Sequence, residues 1–355
     1  MAESQSEKGV CIEAETITVE CDQREENAVV PRNLPLLERE QADPNAAMFQ
    51  LFVVVVLYKL TPSESKTLNT LQEAISCLRQ GQANIRILLY DNTPGGQDPG
   101  MLPANVQYQA DFTNSGLAKA YNYALECADR EGFDWLLTLD QDTSLPADFL
   151  QQLCHTAAFV KPLTNVAAIA PYISGDGRVI SPFVITKHWI GTTHLQTGFI
   201  GISLQKTHAV NSASTLRVSA LKTIGGYDPK FHLAYSDIVL FDRLHNHGFR
   251  IFVAGNIRVE HEMSIFDLKN RSSPRRYEEM LRAEEAYYDD YMGRIGDIVL
   301  VLKLSYRLAY RLWKTGRSLP YFRLSVKFLC RRLFFSRKHR MESWKQSPTL
   351  ESQKL

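Results

Sequence analysis

The segment Leu51-Phe52-Val53-Val54-Val55-Val56-Leu57 constrains this chain more than any other. It is apolar at every position and mostly β-branched, with none of the alternation that a sheet with one wet face would impose. Such a run fits a strand covered on both faces, as in a parallel sheet sandwiched between helices. Beyond Leu57 the chain keeps a strand–helix rhythm. Leu68, Leu71, Ile75 and Leu78 fall at helical spacing within Ser63–Gln80, with Ser63 as the expected cap. Ile85–Tyr90 reads as a second strand closed by Asp91-Asn92-Thr93-Pro94-Gly95-Gly96. Val106–Gln109 reads as a third strand, Leu117–Arg130 as a helix and Trp135–Leu139 as a fourth strand. This alternation predicts a doubly wound α/β sheet, whose ligands bind beyond the carboxyl ends of the strands. Lys59, Asp91-Asn92 and Asp140-Gln141-Asp142 stand at those ends.

Both flanks differ from this middle. Residues 1–46 are acidic and polar, too poor in apolar groups to offset the entropy of ordering, so a flexible segment is expected. They hold no long apolar stretch of signal-peptide type, and no uncharged apolar run reaches the roughly 18–20 residues that a spanning helix needs. Six cysteines are scattered without a CxxC pair, which fits reduced thiols in a cytosol better than a disulfide framework or a zinc site. From residue 269 onward helices are expected, and Lys303, Arg307, Arg311 and Lys314 fall on one helical face. Arg323, Lys327 and Arg331 repeat the spacing. The reading is a basic amphipathic region, 269–355, that lies on an anionic membrane, packs on the preceding domain, or does both. No nucleic-acid-reading motif accompanies these cations, and a nucleic-acid partner is not expected.

The sharpest chemical feature is Asp140-Gln141-Asp142, directly after an apolar strand. In an extended segment the two carboxylates point to the same side. Held ~4 Å apart, they would repel by about 4 kcal/mol at an effective dielectric of 20. A divalent cation removes that repulsion, and hard oxygen donors suit Mg²⁺ or Mn²⁺. A solvated acidic turn is the alternative without chemistry.

Asp91-Asn92-Thr93, Asn114-Ser115-Gly116-Leu117-Ala118 with Asn122, and Leu139-Asp140-Gln141-Asp142-Thr143 together resemble the family 2 glycosyltransferases of the GT-A fold. The bacterial rhamnosyltransferases are the most similar branch. Gly225-Gly226-Tyr227-Asp228, Asp237 six residues before Arg243, and Gly248-Phe249-Arg250-Ile251 continue the likeness, which covers roughly residues 50–268. The resemblance implies an inverting hexosyltransferase domain over 47–268. It would move a sugar, expected to be L-rhamnose from its dTDP form, to a saccharide or lipid-linked acceptor in cell-surface polysaccharide synthesis.

Residue by residue, the resemblance makes Asp91 the acceptor for a nucleobase N–H, with Asn92 beside it. Asn114 and Gly116 shape the turn near the nucleotide. Asp142 becomes a ligand of Mg²⁺ or Mn²⁺, and Asp140 lies near the ribose or that metal. His261 is a third metal or phosphate contact, and Asp237 is the base for the acceptor hydroxyl. Asp237 could instead cap a helix over Ile238–His247. His245 and His247 are expected on the solvated side of that helix. One departure stands at Asn211-Ser212-Ala213-Ser214, where the family has serine–glycine, and Ala lacks glycine's backbone freedom. Trp189 and Gly191-Thr192-Thr193-His194 could line the acceptor cleft. The implied location is cytoplasmic, peripheral on the inner face of the cell membrane.

Three other classes compete. A haloacid-dehalogenase-like phosphatase also uses Asp-x-Asp after a strand, but Ser144 stands where Thr or Val is wanted, and three strands precede the motif. A dehydrogenase lacks its GxGxxG. A sugar-nucleotide pyrophosphorylase lacks a Gly-rich basic loop at Tyr58-Lys59-Leu60-Thr61. A membrane-bound scaffold that keeps the fold without chemistry is the non-enzymatic alternative.

Overall fold

A computed structural model describes residues 28–29, 48–175, 177–186, 191–196, 198–261, 273–314 and 319–345. The expectations for residues 1–46 and for Trp189 therefore lie almost wholly outside the described residues. The central sheet is built from eight principal strands: β1 (Phe49–Leu57), β2 (Ala83–Asp91), β3 (Val106–Ala110), β4 (Trp135–Asp140), β5 (Val166–Gly175), β6 (Ile200–Ser203), β7 (Ser214–Arg217) and β8 (Arg250–His261). Their spatial order is β6-β8-β5-β7-β4-β1-β2-β3, and the two-residue strand Ala28–Val29 pairs at the β6 edge. The N-terminal half, β3-β2-β1-β4, is parallel. β7 inserts antiparallel between β4 and β5, and β5 and β8 pair parallel.

The run of valines does what its pattern requires. Phe52, Val54 and Val56 enter one core with α2 (Leu117–Arg130), α4 (Val218–Ile224) and α5 (Ser236–Asn246). Leu51, Val53, Val55 and Leu57 enter the opposite core with α1 (Lys66–Ser76) and α3 (Phe149–Val160). Both sides of β1 are thus dry, which is why no polar residue interrupts the run. The first helix starts later than its apolar spacing indicates. Pro62–Glu64 forms a 3₁₀ turn, and Ser65, not Ser63, caps α1 by accepting a hydrogen bond from the Leu68 amide at 3.2 Å.

Two backbone contacts explain the motif spacing around α2. Gly116 has φ 91° and ψ 179°, and a Cβ there would stand 2.4 Å from the His232 carbonyl oxygen. That oxygen accepts the Leu117 amide at 2.6 Å. Farther along α2, the Asn122 side chain clasps the Tyr227 backbone, donating to its carbonyl at 2.9 Å and accepting its amide at 2.8 Å. Arg243 then donates to the Gly226 carbonyl at 2.7 Å and to that of Ile224. Asn122, Gly226 and Arg243 thereby tie α2, the turn after α4, and α5 into one unit beside the strand ends.

The C-terminal region is α6 (Pro274–Tyr291), α7 (Gly293–Lys314), α8 (Leu319–Phe334) and α9 (Arg337–Lys345). A third apolar core joins it to the sheet domain, with Phe231 and Val239 meeting Tyr277, Leu281, Tyr287, Leu300, Leu304 and Phe328. Of the alternatives for this region, packing on the preceding domain is what this core shows, and most of the basic residues find partners within it. Arg307 and Lys303 reach buried Glu284 at 2.5 and 2.8 Å, and Arg331 reaches Glu285 at 2.8 Å. Buried Arg332 and Arg340 converge on Asp289 at 2.6 and 2.7 Å. Of the helical repeats of cations, Lys303, Arg307, Lys327 and Arg331 are thus matched to carboxylates on α6, while Arg323 is exposed.

Candidate active site

Asp91-Asn92 and Asp140-Gln141-Asp142 stand at the carboxyl ends of β2 and β4, the two strands that flank β1. There β8 also ends, its last residue pairing with the segment after the acidic triplet: His261 is the register partner of Thr143. This brings His261 between the two aspartates. Its Nε2 stands 3.8 Å from Asp140 Oδ2 and its Nδ1 3.5 Å from Asp142 Oδ1, with Thr143 Oγ1 3.0 Å from Nδ1. The Ser212 hydroxyl supports the same turn, accepting from the Asp140 amide at 3.1 Å and meeting Thr143 Oγ1 at 2.6 Å. Thr67 from α1 binds the turn from below, donating to the Asp140 carbonyl and accepting the Thr143 amide.

Asp237 is the second residue of α5, inside the first turn rather than before it. Its Oδ1 accepts the Ile238 amide at 2.8 Å. The helix begins on Tyr235 in a left-handed conformation, φ 65°, and Asn211 fixes its first residue by donating to Ser236 Oγ at 2.9 Å. Burial pushes the Asp237 carboxyl up, the amide bonds pull it back, and Asp140 adds a further upward push. Burial likewise raises Asp140, His261 opposes this, and Asp142 reinforces it. Tyr121 donates to Asp140 Oδ1 at 3.2 Å, and its ring packs on Tyr227 at 4.9 Å between centroids. Both phenols lie in the field of Asp140 and Asp237 together.

The other sequence-selected residues surround this turn. Asp91 is fully buried at the end of β2, and its carboxylate accepts from the Thr93 amide at 2.9 Å and from the Tyr108 hydroxyl at 2.5 Å. A nucleobase N–H would share oxygens that already have partners. Asn92 is buried beside it, and its Oδ1 finds no partner among the described residues. Asn114 is left-handed, φ 53°, in a turn organised by Asp111, which accepts from Thr113, Ser115 and Tyr90. Ala213 holds φ 60° despite its methyl group, so the departure from glycine leaves the left-handed turn intact. His245 corrects the expectation of a solvated histidine. It is half-buried, its Nε2 meets the Thr207 carbonyl at 2.7 Å, and burial brings its pKa down to about 4.

Asn211 and Ser212, which the sequence marks only as a departure from the family pattern, hold the acidic turn and the start of α5 in place, and Tyr121, which no motif marks, holds Asp140. Arg276, at the start of α6, lies near enough to Asp140 to favour its anion. Buried Asp242 accepts from His208, Lys206 and Tyr287, which hold it at about 2 against burial. Tyr121, Arg276 and Asp242 have no local sequence signature, since each acts through a partner far along the chain.

The donor set at the turn suits a hard divalent cation: two adjacent carboxylates, one of them raised by burial and by the other, and an imidazole between them. In the present side-chain positions the two ring nitrogens face different carboxylates. Among the described residues no three His, Cys, Asp or Glu side chains are arranged to hold a metal ion. Asp142, 44% exposed in its side chain, is the ligand with room to turn.

A search of known protein families finds no match, and no curated protein matches in sequence. The fold is that of the GT-A glycosyltransferases. Among solved structures, GalNAc-T7 with UDP, GalNAc and Mn²⁺ superposes with a TM-score of 0.53 at 14% identity, covering 86% of this chain and 59% of that one. S. aureus TarS gives 0.45 at 17% identity, over 76% of this chain and 45% of that chain. TarS 1–349 with UDP-GlcNAc gives 0.47 at 15%, over 79% and 81%. The chain thus spans less than two thirds of GalNAc-T7 and of the longer TarS chain.

Proposed function

We propose that this chain is a metal-dependent, inverting glycosyltransferase that takes its sugar from a nucleoside diphosphate donor. The observation that carries the reading is the convergence of Asp140, Asp142 and His261 at the strand ends, with Asp237 close enough to Asp140 to feel its charge. Asp140, Asp142 and His261 would hold Mg²⁺ or Mn²⁺, which when bound neutralises charge on the departing diphosphate. The Mn²⁺ present with UDP in the GalNAc-T7 structure supports this assignment.

Asp237 takes the proton of the acceptor hydroxyl. That oxygen bonds to the anomeric carbon while the carbon–oxygen bond to the diphosphate breaks, the electron pair leaving with the nucleotide. A carboxylate raised by burial is matched to this work, because a stronger base transfers the proton more readily near neutral pH. Arg276 adds positive charge at the same mouth. Asp91 and Asn92 lie at the nucleobase end, and the unpartnered Asn92 Oδ1 supplies an acceptor there that Asp91 no longer offers freely.

L-rhamnose from dTDP-L-rhamnose is the proposed donor, on the Asp-Gln-Asp resemblance, and a saccharide or lipid-linked acceptor completes the reaction. The UDP held by GalNAc-T7 makes uridine donors the comparison to run beside it. A thermal-shift screen of dTDP- and UDP-sugars with Mn²⁺ tests the reading, because a bound donor raises the melting temperature by mass action. Asp142→Ala should remove the Mn²⁺-dependent part of the shift and abolish turnover. A shift by no nucleotide sugar, or full turnover in that variant, overturns the assignment.

A further inference from the structure

Helix α7 is turned inside out relative to a helix facing water. Its described charged side chains are all paired: Lys303 and Arg307 with buried Glu284, and Asp297, 47% exposed, with Arg332 and Arg340. Its outer face carries Ile295, Ile298, Leu302 and Tyr306, 68, 65, 57 and 45% exposed. The remaining exposed positions described between 293 and 310 are Gly293, Ser305 and Ala309, so none of the described exposed residues there is charged. Steps of three, four and four residues align the large side chains in one stripe.

The Arg332–Asp297 pair brings the end of α8 to the N-terminal part of α7. Leu333 and Phe334, 55 and 78% exposed, therefore stand at the same end as Ile295 and Ile298. Arg340 of α9 also reaches Asp297, at 3.1 Å, so the exposed Arg337 and Lys338 at the start of α9 stand at this end of α7.

An aqueous helix gains by the opposite arrangement, with charges solvated and apolar groups buried. Burying Lys303, Arg307 and Glu284 costs their hydration, and leaving the apolar stripe in water returns nothing. Against hydrocarbon the stripe is the buried face, and the inversion makes physical sense. We propose that this face of α7, with Leu333 and Phe334, seats on an anionic lipid bilayer, with Arg337 and Lys338 meeting the headgroups. A second copy of the chain is a poorer occupant, since a two-fold contact would set those cations against their own images. The helix lies in the interface rather than crossing it: among the described residues no helix is long and apolar enough to span a membrane. The proposal does not depend on the transferase chemistry and stands or falls without it.

The test is flotation of the full chain with phosphatidylcholine vesicles, with and without phosphatidylglycerol. The chain should float with the anionic vesicles and far less with the neutral ones. The double variant Ile298→Asp/Leu302→Asp should lower the partition constant at least about tenfold, because two insertable side chains are lost. Arg337→Glu/Lys338→Glu should weaken binding to the anionic vesicles selectively. Met101→Asp, at a fully exposed site on the sheet domain, should bind like the parent. The substituted residues are exposed, so thermal melts should match the parent and separate binding from folding. Absence of flotation overturns the proposal, as does undiminished flotation of the Ile298/Leu302 variant. Equal binding to neutral vesicles removes the anionic headgroup from it. A solution dimer by light scattering that becomes monomeric in that variant assigns the face to a second copy instead.

Discussion

The clasp between Asn122 and Tyr227 makes a prediction with a sign as well as a size. Asn122→Ala removes two hydrogen bonds and leaves the amide and carbonyl of a buried residue without partners. At about 1–2 kcal/mol for each orphaned group, the cost is about 2–4 kcal/mol. Gly226→Ala introduces two penalties. Its φ of 71° costs an L-residue about 1–2 kcal/mol. Its new Cβ would lie 2.5 Å from Asn122 Oδ1, pushing the amide away and forfeiting the same clasp. That single variant should lose about 3–6 kcal/mol in sum. In the double variant no Asn122 amide remains to be struck, and only the backbone strain is added to the first loss. The total is again about 3–6 kcal/mol, so the two costs should fail to add by about 2–4 kcal/mol. Urea denaturation of the four proteins at constant m-value measures this directly. Costs that sum to within about 0.5 kcal/mol would show that Asn122 and Gly226 act separately.

Asp237→Asn should leave the donor-dependent thermal shift in place while transfer falls by at least about a hundredfold; retained transfer assigns the base elsewhere. Because burial raises the Asp237 pKa and the base works deprotonated, kcat/KM should drop as pH falls through a value above the ordinary aspartate range. An acid limb within that ordinary range, or one unchanged in a residually active variant, contradicts the role. Burial lifts the Glu284 carboxyl, but Arg307 and Lys303 outweigh it and hold it at about 2, against 4.5 ordinarily. Its stabilising effect is therefore complete above the ordinary value and lost as pH falls from there towards 2. Glu284→Gln, which strands two largely buried cations, should cost about 3–5 kcal/mol at neutral pH. By urea unfolding, the gap to the parent should narrow at pH values below about 4.

How much of this was legible beforehand depends on how far each signal reaches. The valine run named its own strand because dryness on both faces leaves a local mark. Leu117–Arg130 was bounded correctly because Gly116 before it and Gly132 beyond it punctuate the chain. Asp140, Asp142, His261 and Asp237 were selected by motif order, and the β8 pairing brings His261 opposite Thr143. Asp91 was legible as a residue but not in its environment, since Tyr108 reaches its carboxylate from the neighbouring strand. Tyr121 and Arg276 were invisible because their partners lie many residues away in the chain, and Ser212 was marked only as part of a departure from the family pattern. The C-terminal cations were legible in their spacing but not in their partners. Helical spacing shows that they share a face, and only the acidic row on α6 decides which way that face turns.

The start of α5 is gripped from outside the sheet domain. The Tyr235 hydroxyl donates to Glu284 at 3.0 Å, and Tyr287 donates to Asp242 at 2.6 Å. Two phenolic rivets thus fasten the proposed base-bearing helix to a neighbour that the chain makes only afterwards. Synthesis has to run well beyond the last strand before Asp237 acquires its setting, and a fragment cut after residue 268 would expose the Val239 side of the helix to water.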